Sequence, residues 1–134
     1  MSKPPTVAEL AWTGDLTFAA TINDITFTLD SAGVRGPSPV GALASALAGC
    51  MSMDIAHILT RGRHPFTGLA VRLVGERQKD DPHCFSHITL HVAVQGAVPA
   101  DAVERAIALS REKYCSVWHS MRQDIVLTTS FEIR

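Results

Sequence analysis

The sequence predicts an α+β fold in which antiparallel sheets surround one long buried helix. Three observations carry the prediction. β-rich runs are gathered before residue 30 and again between residues 67 and 94; one apolar run of helical length separates the two groups; and an amphipathic segment precedes a last strand. Strands collected into runs, rather than alternating with helices, favour segregated α+β architecture over a parallel α/β sheet.

Residues 7–13 alternate well enough for a strand, and Gly14-Asp15 follows as a turn. Residues 16–22 and 25–29 are two further β-rich runs separated only by Asn23-Asp24, the spacing of a tight hairpin. Ile25, Phe27 and Leu29 alternate with Thr26 and Thr28, which predicts one buried and one wet face. Residues 31–37, with two glycines and a proline, form the loop into the long helix.

That helix is marked by Ser38 as N-cap and Pro39 at the first helical position, and it runs to about Arg61. From Val40 to Met53 nearly every residue is apolar or tiny, so no side prefers water and burial all round is expected. One copy of so small a chain covers such a helix poorly, and dimerisation is the simple remedy. Gly62 is the expected stop. Residues 67–76 and 85–94 are the clearest strands, with Leu69, Val71, Leu73 and Ile88, Leu90, Val92, Val94 at period two. Residues 99–114 read as an amphipathic helix directing Val103, Ile107 and Leu109 or Ser110 to the core; residues 115–121 continue as a short helix. Residues 124–133 close the chain as a strand with a weaker alternation at Val126, Thr128 and Ser130.

A chain of 134 residues with 46% hydrophobic content suits a single domain, residues 1–134. A net charge of −1 with scattered Lys and Arg leaves no basic stripe of the kind that holds nucleic acid. The first residues lack the apolar run of a signal peptide, and Asp54 and His57 interrupt the longest apolar stretch, so a soluble cytoplasmic protein, neither membrane-bound nor nucleic-acid-bound, is expected. Cys50, Cys84 and Cys115 make an odd count without a Cys-x-x-Cys pair, which argues against a secreted disulfide framework.

Two cysteines are candidates for chemistry. On a helical wheel Asp54, His57 and Arg61 fall within about 40° of Cys50, on one stripe. His57 would stand roughly 10 Å along the axis from Cys50, too far for a hydrogen bond. Asp54 is near enough, yet a carboxylate beside a thiol opposes thiolate formation. From the helix alone, Cys50 reads first as small buried filling. Cys115 stands at a junction between helices, near Arg111 and Lys113, where a helix N-terminus can lower a thiol pKa or where the residue simply packs. Metal ligation has two possible origins, the Cys115/His119 pair at helical spacing and the crowd of His83, Cys84, His87 and His91. On a strand these histidines point away from Cys84, four ligands do not converge, and no metal is expected.

Residues 36–54, Gly-Pro-Ser-Pro-Val-Gly-Ala-Leu-Ala-Ser-Ala-Leu-Ala-Gly-Cys-Met-Ser-Met-Asp, resemble the first cysteine motif of the OsmC/Ohr family, the osmotically inducible and organic hydroperoxide resistance proteins. Residues 106–117, Ala-Ile-Ala-Leu-Ser-Arg-Glu-Lys-Tyr-Cys-Ser-Val, resemble its second, particularly in the OsmC-like branch. The resemblance implies an intertwined homodimer with the long helix at its centre. It also implies a thiol peroxidase in which Cys50 attacks the peroxide and Cys115 resolves the sulfenic acid as a disulfide. A small dithiol or dithiol protein would serve as reductant, with no metal or organic cofactor. Cys84 lies outside both motifs. Two departures accompany the match. Val40 and Gly41 occupy the positions of a glutamate usual in the family's peroxidases, and residues 7–30 contain no arginine to place against the thiolate. An OsmC-like dimer without efficient peroxidase activity, binding a small apolar or thiol ligand at its interface, is therefore the alternative.

Overall fold

A computed structural model describes residues 3–134. They form two compact units, one reaching to Leu43 and the other spanning Ala44–Arg134. The first holds β1 (Ala8–Gly14), β2 (Thr17–Ile22) and β3 (Ile25–Asp30) as an antiparallel sheet in that order. Ile22 pairs with Ile25, and Asn23 and Asp24 both take positive φ, 51° and 65°. Two left-handed residues make the turn whose twist matches the flanking strands, and Asn and Asp tolerate that conformation better than most side chains. The expected buried face is not filled: Ile25 and Phe27 are exposed, while Thr17, Ala20 and Asp30 are buried. Among the described residues of its own unit no second layer covers this sheet, so alternation supplies a pattern without a partner surface.

Helix α1 (Pro39–Arg61) begins as the sequence predicts, with the Ser38 hydroxyl accepting from the Gly41 N–H at 3.1 Å. Its other end differs in detail. The left-handed residue is Arg63, φ 59°, not Gly62. The N–H groups of Arg63 and His64 reach back to the carbonyls of Thr60 and Leu59, a Schellman closure.

In the second unit, β4 (Phe66–Arg77) and β5 (Phe85–Gly96) pair antiparallel, and β6 (Val126–Ile133) lies on the other side of β5. β6 runs parallel to β5, so this sheet is mixed rather than purely antiparallel. A parallel neighbour needs a long crossover, supplied here by α2 (Ala100–Leu109), a π-helical turn (Ser110–Tyr114) and α3 (Ser116–His119). The inward row of β6 includes buried Leu127; the expected row of Val126, Thr128 and Ser130 faces outward.

The core of this unit joins Leu47, Met51, Ile55 and Leu59 of α1 to Ile88, Leu90, Val92 and Val94 of β5 and to Val103, Ala106 and Ile107 of α2. The four α1 residues recur every four positions and are fully buried. Burial of α1 is thus confined to one stripe within the chain, and Met53 is 74% exposed. By length and composition α1 could cross a membrane; the stripe instead belongs to a packed core.

Candidate thiol site

Cys50 lies on α1 between the buried residues Met51 and Leu47, one step off the core stripe, and is half-buried. Asp54 stands one helical turn further along the same face. Cys115 comes from the far side of the crossover, where Tyr114 ends the π-helical turn and Ser116 opens α3. The wide turn is closed by the Cys115 N–H bonding to the Ser110 carbonyl at 2.8 Å. Cys115 then serves as N-cap of α3, its sulfur accepting from the Trp118 N–H at 3.3 Å. A thiolate acceptor suits this place, yet the side chain is fully buried.

These elements bring three ligand atoms together: the sulfurs of Cys50 and Cys115 and a carboxylate oxygen of Asp54 all lie within 4.8 Å of one another. The hydroxyl of Ser110, itself fully buried, donates to Asp54 Oδ2 at 2.8 Å. Burial pushes the Cys115 thiol up to about 11; the adjacent Cys50 sulfur pushes the same way, against the N–H groups of Trp118 and Val117. The lowered thiol pKa that a helix start could give is not realised, because desolvation outweighs the backbone donors.

The other candidates disperse. His119 bonds through Nε2 to the Arg111 carbonyl, so the Cys115/His119 pair does not form. His83 pairs with Asp81, and His91 bridges Ser130 and Glu132. Cys84 receives the Arg122 guanidinium at 3.5 Å. His57 and Arg61 share with Asp54 the wall of an open cavity of about 480 Å³, completed by Ile58, Leu109 and Tyr114. Ser110 is the contributor that sequence reading placed only as a core candidate. Its signal is slight: one small polar residue on the apolar face of an amphipathic helix.

The family described as OsmC-like protein matches residues 30–130. Protein YhfA of Escherichia coli K12 is 37% identical over 130 residues, covering 94% of this chain and 96% of that protein. A hypothetical protein from Aquifex aeolicus superposes with a TM-score of 0.92 at 26% identity, covering 98% of both chains. A structure from Legionella pneumophila, described as an organic hydroperoxide resistance protein OsmC, superposes with a TM-score of 0.74 at 16% identity over 98% of this chain and 99% of that one. The match across residues 30–130, with both cysteine motifs inside it, makes this chain a member of the OsmC-like protein family.

Proposed function

We propose that this chain is a thiol-dependent peroxidase that reduces organic hydroperoxides, or hydrogen peroxide, with Cys50 as nucleophile and Cys115 as resolving thiol. The observation that carries the reading is the approach of the two sulfurs to within 4.8 Å on a half-buried and a buried residue. The resistance function in the name of the Legionella relative supports the substrate class. In the first step the Cys50 thiolate attacks the O–O bond, leaving Cys50 sulfenic acid and, after protonation, an alcohol. Cys115 then attacks the Cys50 sulfur, water leaves, and a disulfide forms. A small dithiol or dithiol protein restores both thiols by exchange, and the alcohol and water carry away the peroxide oxygens. The working unit is a homodimer in the cytoplasm. Trp12, Leu16 and Ile25, each about two-thirds exposed, and Met53 are the apolar surfaces that a second copy would cover.

Asp54 favours a second reading. Its carboxylate oxygen lies within 4.8 Å of both sulfurs, and burial pushes the Cys115 thiol up to about 11, against the thiolate that resolution requires. An OsmC-like dimer that binds a small apolar or thiol ligand without efficient turnover would tolerate it. One experiment separates the two readings: addition of one equivalent of cumene hydroperoxide to reduced protein. The peroxidase loses two thiols per chain and yields a Cys50–Cys115 peptide on mapping. Consumption no faster than that of Cys50→Ser leaves only the binding reading.

A further inference from the structure

We infer that Cys50, Cys115 and Asp54 form a binding site for a soft divalent metal ion of the Zn²⁺/Cd²⁺ class, a property that does not rest on peroxidase activity. Their ligand atoms already lie within 4.8 Å of one another. Zinc holds sulfur at about 2.3 Å and carboxylate oxygen at about 2.0–2.2 Å, so tetrahedral donors stand roughly 3.5–3.8 Å apart. That spacing falls inside the 4.8 Å bound, with Cys50 and Asp54 one helical turn apart on α1 and Cys115 at the N-cap of α3.

The chemistry of the set agrees with its geometry. Two thiolates select soft or borderline metals over Mg²⁺ and Ca²⁺. With both thiols deprotonated, the three groups carry three negative charges, and a dication is the occupant that relieves the repulsion between them. The carboxylate beside the two sulfurs thereby becomes a ligand. Ser110 strengthens the case: its fully buried hydroxyl fixes the Asp54 carboxylate through Oδ2, and hydrogen-bonded partners of this kind orient metal ligands. Three protein ligands leave a fourth position for water or an exogenous ligand, the coordination of an open site. Asp54 also lines an open cavity with His57, Arg61 and Tyr114.

Binding is a proton exchange without oxidation. Cys50 and Cys115 each release the S–H proton to solvent, each sulfur gives a lone pair to the metal, and Asp54 binds as the carboxylate. Metal and peroxide therefore compete for the same sulfurs.

The test uses reduced full-length protein in metal-free buffer, titrated with Cd²⁺ and followed by the ultraviolet sulfur-to-cadmium charge-transfer band. One Cd²⁺ per chain is expected. Ser110→Ala should weaken binding about 10- to 100-fold, Asp54→Asn at least as much, and Cys50→Ser or Cys115→Ser further still; Cys84→Ser should bind as the unaltered chain does. A second measurement needs no variant: X-ray absorption at the zinc edge of the Zn²⁺-loaded protein should show two sulfur scatterers with oxygen completing the shell. No stoichiometric Cd²⁺ band, a band that survives Cys50→Ser or falls with Cys84→Ser, unchanged affinity in Asp54→Asn, or a zinc shell without sulfur would each overturn the inference. A chain that binds Cd²⁺ this way but ignores hydroperoxide leaves the metal site standing without the peroxidase, and the converse result separates them in the other direction.

Discussion

The Ser110 hydroxyl donates a 2.8 Å hydrogen bond to Asp54 Oδ2, joining the π-helical turn before Cys115 to the helix that carries Cys50. The two residues are far apart in sequence, so the bond fixes where the second cysteine motif meets the first. A buried hydroxyl bonded to an ionised carboxylate contributes about 1.5–3 kcal/mol. Ser110→Ala should therefore lower unfolding free energy by about that amount in urea denaturation, whereas Ser120→Ala, on an exposed hydroxyl, should stay within about 0.5 kcal/mol. Equal effects from the two substitutions would remove Ser110 from its role.

Cys115→Ser tests the division of labour between the thiols. Without a resolving sulfur, one equivalent of hydroperoxide should leave Cys50 as a sulfenic acid that a dimedone reagent labels, and the disulfide should be absent. Label on Cys84 in place of Cys50 would reassign the nucleophile.

Much of this arrangement was legible in the sequence, and the illegible part has physical causes. The helix start at Ser38, the Asn23-Asp24 turn and the element order follow from local rules that act over a few residues. The inward row of β6 does not, because Thr129 and Thr128 are equally acceptable on either face and only the parallel pairing with β5 decides between them. Asp54 beside Cys50 follows from helical spacing. Its meeting with Ser110 and Cys115 depends on a π-helical turn, whose extra residue per turn leaves no pattern in hydrophobicity.

Burial along α1 should be lopsided in mutational response. Ile55 is fully buried between α1 and the sheet, so Ile55→Ala should cost about 2–5 kcal/mol in thermal or chemical unfolding. Met53 is 74% exposed, so Met53→Lys should leave the fold intact. In the proposed dimer it places a charge on an apolar contact, and analytical ultracentrifugation should show weakened association. A Met53→Lys chain that remains as firmly dimeric as the unaltered protein removes this face from the interface.

Asp30 gives the first unit an acid-sensitive joint. Its carboxylate accepts the N–H groups of Arg35 at 2.9 Å, Ala32 at 3.1 Å and Val34 at 3.3 Å. These donors, Arg35 foremost, hold its pKa below the ordinary carboxylate range. The folded form thus binds the proton less readily than the unfolded chain, so this stability is complete above the unfolded value near pH 4 and is lost as pH falls through the folded value. Asp30→Asn should reduce Tm at pH 7 and narrow its difference from the unaltered protein as pH drops below about 4. A difference constant from pH 7 to pH 2 would show that the charge of Asp30 plays no part.

The end of α1 offers a stabilising change. Arg63 holds φ at 59°, the left-handed conformation that glycine adopts freely and that costs other residues about 1–2 kcal/mol. Its N–H bonds to the Thr60 carbonyl at 3.0 Å and that of His64 to Leu59 at 3.0 Å, so the closure depends on the backbone and not on the arginine side chain. Glycine also loosens the unfolded chain, which takes back about 0.4–1 kcal/mol. The difference favours the substitution, and Arg63→Gly should stabilise the protein by about 0.5–1 kcal/mol in urea denaturation. A loss of stability would mean that the exposed Arg63 side chain makes a contribution larger than the backbone strain it imposes.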